Sequence, residues 1–199
     1  EALERLAEIQ AFQRVTSETL SSPDLATALR TVVRETCELL RADGAFCSLA
    51  EPSSQDAETV VTQGARTAQF PRVRLVAGEG MAGLVLAERR AMRTDDYLAD
   101  TRFSHAPPLD DWARAEETQA MIGAPILDRD GKVTAILWAY RRSYGHFSDK
   151  DETVIVGLAQ QAALAIGTVR GMEGGRERAR QTASLLGVGQ VCRSTLELR

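Results

Sequence analysis

Residues 78–83 read Gly-Glu-Gly-Met-Ala-Gly, a G-x-G-x-x-G spacing. In a dinucleotide-binding turn, such glycines permit a tight bend, close approach of the backbone to a pyrophosphate, and helix–strand packing, with the phosphates on a helix N-terminus. The flanks argue against that chemistry. Residues 72–76 alternate arginine with apolar side chains, the pattern of a half-exposed strand. A parallel strand covered on both faces is continuously apolar. The helix expected at 81–88 is shorter than the dozen or so residues a crossover connection needs. No further strand–helix alternation follows, and Glu79 puts a negative charge where a pyrophosphate would lie. The glycines therefore read as backbone geometry, a sharp entry from a strand into a short helix lying on a sheet.

Other reactive residue types are sparse. Cys37, Cys47 and Cys192 lie far apart without metal-ligand spacing. Cys37 falls in a helical pattern and Cys47 in a strand pattern, so both read as small buried apolar residues. Asp95-Asp96 has no spaced histidine or third carboxylate to complete a metal site, and reads as a turn cap or a partner for Arg93 or Arg102. The only histidines are His105 and His146, and no nucleophile–base arrangement follows from their spacing. The residues make no positive case for an enzyme.

Bulk composition sets the class. The 199 residues are 44% hydrophobic and 26% charged, with a formal net charge of −4. That is an ordinary globular composition. Without a basic patch, the chain is not expected to grip DNA itself. No apolar stretch is expected to reach the ~18 residues of a membrane span, and the few scattered cysteines suit a reducing cytoplasm. The chain begins at Glu1 without methionine and reads as a segment of a longer protein.

Several elements must position whatever the chain binds. Residues 1–21 carry an amphipathic helix suited to signalling or dimerisation, with Leu3, Leu6, Ile9, Phe12 and Val15 along one side. Ser22-Pro23-Asp24 starts a second helix, with Ser22 as cap, and Asp43-Gly44 ends it. Strands follow at 45–50, 58–63 and 72–76, then the glycine turn, a short helix and a strand at 91–94. Residues 97–119 form a long loop, a length often associated with lids and binding segments, with a short helix at 110–117. Asp110, Asp111, Glu116 and Glu117 are expected on its solvated face.

Residues 120–127 and 133–141 are apolar runs joined through Asp130-Gly131, a tight-hairpin signal. With those two residues as the turn, Gly123 faces Trp138, Pro125 faces Ile136, and Met121 faces Tyr140. Ile122, Ala124, Ala135, Leu137 and Ala139 fall on the other face, suited to close helix packing. On the first face a large aromatic opposite a glycine leaves room for a ligand. Candidate pocket residues are therefore Trp138, Gly123, Ile136, Tyr140 and Met121, with Tyr97, Phe103 and Trp112 as an aromatic lid. Trp138 would stack on a ligand or simply fill the core under the loop, and the lid aromatics would cover a ligand or pin the loop down. Finally, Ser148 and Asp151 form a capping box that starts a long helix carrying Ile155, Leu158, Ala159, Ala162, Ile166 and Val169.

This order resembles a GAF domain across residues 22–170. The matching pieces are Gly-Glu-Gly-Met-Ala-Gly at 78–83, Met92-Arg93-Thr94-Asp95-Asp96, Ile122-Gly123-Ala124-Pro125-Ile126, and Phe147-Ser148-Asp149-Lys150-Asp151-Glu152. The resemblance implies an α+β fold: a central antiparallel sheet of about six strands, terminal helices on one face, and short helices and loops over a pocket on the other. The stretch 96–105 is similar to the sensor domains of bacterial helix-turn-helix transcription regulators of the PucR type. That implies a small apolar or aromatic effector, a homodimer through the terminal helices, no membrane association, and DNA contact only through an output domain outside this chain. Residues 171–199 would be the connecting helix. The Asn-Lys-Phe-Asp-Glu set of cyclic-nucleotide-binding members is missing, as are the loop cysteines of bilin-binding members and free methionine sulfoxide reductases. No cofactor is expected, except that His105 lies in a region broadly comparable to that of a haem-ligating histidine. It would ligate haem iron, titrate as a sensor, or be an exposed loop residue.

Overall fold

The computed structural model describes residues 9–10, 13–14, 24–50, 56–67, 73–74, 80–143 and 145–169. It divides into two units, Glu1–Ala165 and Ile166–Arg199. The first holds the sheet and is the subject below. The expected connecting helix at 171–199 lies outside the described residues, as does most of the expected helix at 1–21. The four residues described there, Ile9, Gln10, Gln13 and Arg14, are helical.

Helix α1, Leu25–Leu39, is capped by Asp24, whose Oδ1 accepts the Thr27 amide at 2.8 Å. A carboxylate at this position satisfies a backbone donor and suits the helix dipole, so Asp24 takes the role expected of Ser22. Its buried side, including Ala28, Leu29, Val32 and Val33, packs over β1 (Gly44–Ala50), β2 (Asp56–Gln63) and β6 (Val133–Arg141). On the same helix Glu35 is buried and receives Arg14 Nε and Nη2 at 3.1 and 2.8 Å. The helix stops through Arg41, whose φ is 47°, before Asp43-Gly44 is reached.

The remaining elements are β3 (Val73–Arg74), α2 (Gly80–Glu88), β4 (Met92–Thr94), α3 (Pro107–Ala115), β5 (Ala120–Leu127) and α4 (Asp149–Val169). The six strands form one antiparallel sheet in the order β3-β2-β1-β6-β5-β4. The fold is the α+β arrangement expected. Helix α3 begins earlier than the sequence suggested, because Pro107 and Pro108 fit its first turn, where no amide hydrogen is needed.

The hairpin register is as expected: Met121 pairs with Tyr140, Gly123 with Trp138, and Pro125 with Ile136. The turn is wider than two residues. Asp128 N donates to Lys132 O at 2.9 Å, Asp128 Oδ1 accepts from the amides of Asp130 and Lys132, and a register shift at Ile126/Leu127 absorbs the extra residue. On the helix-facing side Ile122, Ala124, Ala135, Leu137 and Ala139 are all buried.

Helix α4 starts at the expected capping box: Ser148 N donates to Asp151 Oδ2 at 2.8 Å, and Asp151 N donates to Ser148 Oγ at 3.2 Å. Contrary to expectation, α4 is long and apolar enough to cross a membrane by length and composition, with a mean hydropathy of 1.3. Gly157, Gln160 and Gln161 break its apolar run without adding charge. Val154, Ile155, Leu158, Ala159 and Ala162 are buried, as on a core helix.

Two glycines flank β6 for one reason. A Cβ on Gly123 would lie 2.3 Å from Trp138 Cζ3, and one on Gly44 would lie 2.3 Å from Tyr140 Cζ. Each ring lies across the bare backbone of the neighbouring strand. The space opposite Gly123 is thus taken by the indole itself, and Gly44 is a seat for Tyr140 rather than a helix stop. Replacing Gly123 with alanine should lower stability by about 1–3 kcal/mol through overpacking, read from the midpoint of urea unfolding. An unchanged midpoint would mean that the indole has room to move.

Candidate functional site

The face of the sheet away from α1 carries the strand candidates in cross-strand rows, Ile136 between Ser48 and Pro125 and the others in two rows beside it. One runs Thr62, Phe46, Trp138, Gly123, Met92, and the next runs Gly44, Tyr140, Met121, Thr94. Helix α2 brings Met81, Ala82 and Val85 against this face, and the 97–119 segment covers it with Tyr97, Phe103, Trp112 and Ala113. Trp138, Ile136, Tyr140, Met121, Tyr97, Phe103 and Trp112 thus join one buried cluster, with Gly123 directly beneath the Trp138 ring. Phe46, absent from the expected set, stands at its centre. Its position in the apolar run 45–50 was visible, but which face it takes depends on register.

The aromatic rings form two groups. Phe46 stacks on Trp138 at 5.9 Å between centroids and meets Trp112 edge-on at 5.4 Å, while Trp112 meets Tyr140 edge-on at 5.7 Å. Tyr97 and Phe103 instead pack on each other at 5.4 Å and on His105 at 5.9 and 5.1 Å. Trp112 therefore locks the lid helix to the sheet, and the other group shapes the lid segment.

A polar group missed by the sequence reading closes the edge of this cluster. Glu116, expected on a solvated face, is fully buried. Its carboxylate accepts from Arg66 N at 2.9 Å, Thr67 N and Thr67 Oγ1 at 2.6 Å, Tyr140 OH at 2.9 Å and Arg142 Nη2 at 2.7 Å. Burial alone raises its pKa, but the hydrogen bonds from Thr67, Arg66 and Arg142 outweigh that and hold the carboxyl at about 2. Burial pushes Tyr140 far up in turn, and the acceptor Glu116 adds to it. The other carboxylates divide: Asp110 pairs with His105, whereas Asp111 and Glu117 are exposed. Arg93 pairs with Asp149 and Glu152, and Arg102 with Asp100; of the two roles expected for Asp95-Asp96 it is the turn cap that appears, Asp96 Oδ1 accepting Ala99 N at 3.2 Å.

Both ring nitrogens of His105 are engaged, Nδ1 with Asp110 Oδ1 and Nε2 with Asp100 O, each at 2.9 Å. Both partners are acceptors, so only the doubly protonated ring satisfies them. The Asp110 carboxylate, then the Asp100 carbonyl, raise the pKa above the ordinary 6.5. A haem iron would have to displace one of these bonds. Cys47 is completely buried, which pushes its thiol up to about 12, and the Cys37 thiol donates to Ala42 O at 3.1 Å. Among the described residues, no group of three or more His, Cys, Asp or Glu is placed to hold a metal ion.

The motif at 78–83 is described from Gly80 onward. Gly80 has a φ of 60°, opens α2, and donates its amide to Ser104 Oγ at 3.2 Å. This left-handed position favours glycine, and the helix start is occupied by a lid serine. The family model for the GAF domain matches residues 24–166. The chain belongs to the GAF domain family. The GAF domain of a phosphoenolpyruvate-protein phosphotransferase from Coxiella burnetii is 26% identical, with a TM-score of 0.71 over 85% of this chain and 98% of that one. A free methionine-R-sulfoxide reductase from Neisseria meningitidis, solved with its substrate, is 20% identical, with a TM-score of 0.68 over 86% and 92%. A methyl-accepting chemotaxis protein segment is 23% identical, with a TM-score of 0.66 over 81% and 98%. These two likenesses show the shared fold. A search of curated proteins finds no match. GAF domains are mainly ligand-sensing regulatory domains of signalling proteins.

Two titrations follow from the site. Because the folded pKa of Glu116 is depressed from 4.5 to about 2, its contribution to stability is full above 4.5 and fades as pH falls toward 2. Urea unfolding across that window should show a shallower acid loss in Glu116→Gln than in the wild type; Asp100, also near 2, retains its own share. His105 has the opposite sign. Its contribution is full below 6.5 and is lost as pH rises through its raised folded pKa. An NMR titration should place its midpoint above 6.5 and move it back toward 6.5 in Asp110→Asn.

Proposed function

We propose that this GAF domain is the sensor of a bacterial transcription regulator of the PucR type or a related signalling protein. It takes a small apolar or aromatic effector beneath the 97–119 lid, between Tyr97, Phe103 and Trp112 above and Trp138, Tyr140, Met121, Ile136 and Gly123 below. The protein works in the cytoplasm as a homodimer through its terminal helices, and reaches DNA only through a separate output domain. It does no chemistry on its effector.

The observation that supports this reading most is the pair Arg141 and Arg142 at the end of β6. Alternation along a strand sends consecutive side chains to opposite faces. Arg142 reaches the lid side, where Nη2 donates to Glu116 and to Gly64 O at 2.8 Å. Arg141 reaches the helix side: Nη2 donates to Leu40 O at the end of α1, Nη1 donates to His146 O, and the guanidinium lies 4.3 Å from the Phe147 ring centroid, just before α4. A change in lid closure at Glu116 therefore acts on the same strand end that holds both terminal helices. An effector must bind the two lid states unequally to shift them.

A second reading has its own support. Trp138 is only 3% exposed and fills the space over Gly123, as a ligand-free dimerisation scaffold would require. The two separate cleanly. A thermal-denaturation screen of small aromatic and apolar compounds should find at least one that stabilises the chain by about 2.7 kcal/mol at a hundredfold excess over Kd. A screen in which nothing stabilises, together with a loss of about 3–5 kcal/mol in Trp138→Ala as for a core truncation, favours the scaffold.

A further inference from the structure

The cluster beneath the lid holds a donor with nothing to bond. Trp138 is almost wholly buried, and its indole Nε1 has no hydrogen-bond partner. Of the polar groups nearby, Tyr140 OH donates to Glu116, which is also paired with Arg142. The orientation of the indole is fixed by its neighbours. Cζ3 and Cε3 are the atoms over Gly123, and the carbon bearing Nε1 lies across the six-membered ring from Cζ3. The N–H therefore points away from β5, on a ring stacked against Phe46.

We propose that the effector is a neutral aromatic carbonyl compound whose oxygen accepts a hydrogen bond from the Trp138 indole N–H. This rests on the sensing reading above and names the chemistry of its ligand. Indole N–H is a donor only, so its partner must be an acceptor. A buried donor left unmade is costly, and a ligand that satisfies it gains that cost back. The acceptor is uncharged because the cations at the edge of the cluster are already paired, Arg142 with Glu116 and His105 with Asp110. A carboxylate there would be buried without a partner. The remaining surface is supplied by aromatic rings and by Met81, Met92 and Met121, which suit a flat apolar body.

The test uses the full chain and two probes of one shape, acetophenone and α-methylstyrene, in which a methylene replaces the carbonyl oxygen. Binding is followed through the indole N–H resonances of Trp112 and Trp138. Acetophenone should bind about tenfold more tightly than α-methylstyrene, the scale of one hydrogen bond, and should shift the Trp138 N–H resonance downfield. In Trp138→Phe the preference should fall to near one. The wild-type resonance shift is read without any variant, so a poorly folded Trp138→Phe does not remove the test. Equal binding of the two probes, or acetophenone binding without a shift at Trp138, overturns the carbonyl proposal and leaves the sensing reading standing. No binding of either probe overturns the proposal, and the wider thermal screen then decides the sensing reading separately.

Discussion

The carboxylate of Glu116 joins segments that are distant in the sequence: residues 66–67 after β2, the end of the lid helix α3, and residues 140–142 at the end of β6. A carboxylate this deep is tolerable only because donors surround it; a buried charge stripped of its partner costs about 3–5 kcal/mol. The pairing therefore constrains geometry as much as it stabilises. Arg142 supplies the positive charge in this pairing. Arg142 in turn is held by Asp43, which accepts its amide at 2.8 Å, and by Gly64 O. The strand end, the turn before β1 and the lid are one mechanical unit.

The aromatic layer depends on that closure and on two bare stretches of backbone. Tyr140 lies over Gly44 and donates to Glu116; Trp138 lies over Gly123 and stacks on Phe46. Rings laid flat across neighbouring strands give the sheet a smooth surface on which α2 and the lid can rest. The same arrangement leaves the Trp138 N–H facing an apolar layer, a local conflict of the kind that natural proteins keep mainly at functional sites. In the lid, His105 between Asp110 and the Asp100 carbonyl adds a second charge-dependent contact. Its exposure keeps it responsive to solvent in a way that Glu116 is not.

Local signals in the chain were enough for much of the fold. The Asp130-Gly131 turn between the apolar runs 120–127 and 133–141 set the hairpin register pair by pair, and a shift at Ile126/Leu127 absorbs the wider loop without disturbing it. Ser148 and Asp151 marked the start of α4 because a capping box satisfies its own donors within one turn. The order of these pieces around the glycine turn was sufficient to recognise the family. Seven of the eight residues singled out from the hairpin register and the 97–119 segment share one buried cluster, with Gly123 beneath Trp138.

What the sequence by itself determined is what neighbours along the chain can enforce: strand parity, the capping box of α4, a glycine turn into a short helix, and hence the sheet and its two faces. Tertiary structure decided everything that depends on a distant partner. Glu116 and Glu117 are adjacent identical residues, yet one is buried among donors from two other parts of the chain and the other is exposed. No local pattern separates them. Whether Gly123 makes a vacancy or a seat for an indole likewise depended on how the ring across the strand is turned. Burial, ion-pair choice and ring packing are set by long-range contacts, and those exist only once the sheet has brought the lid and the strand ends together.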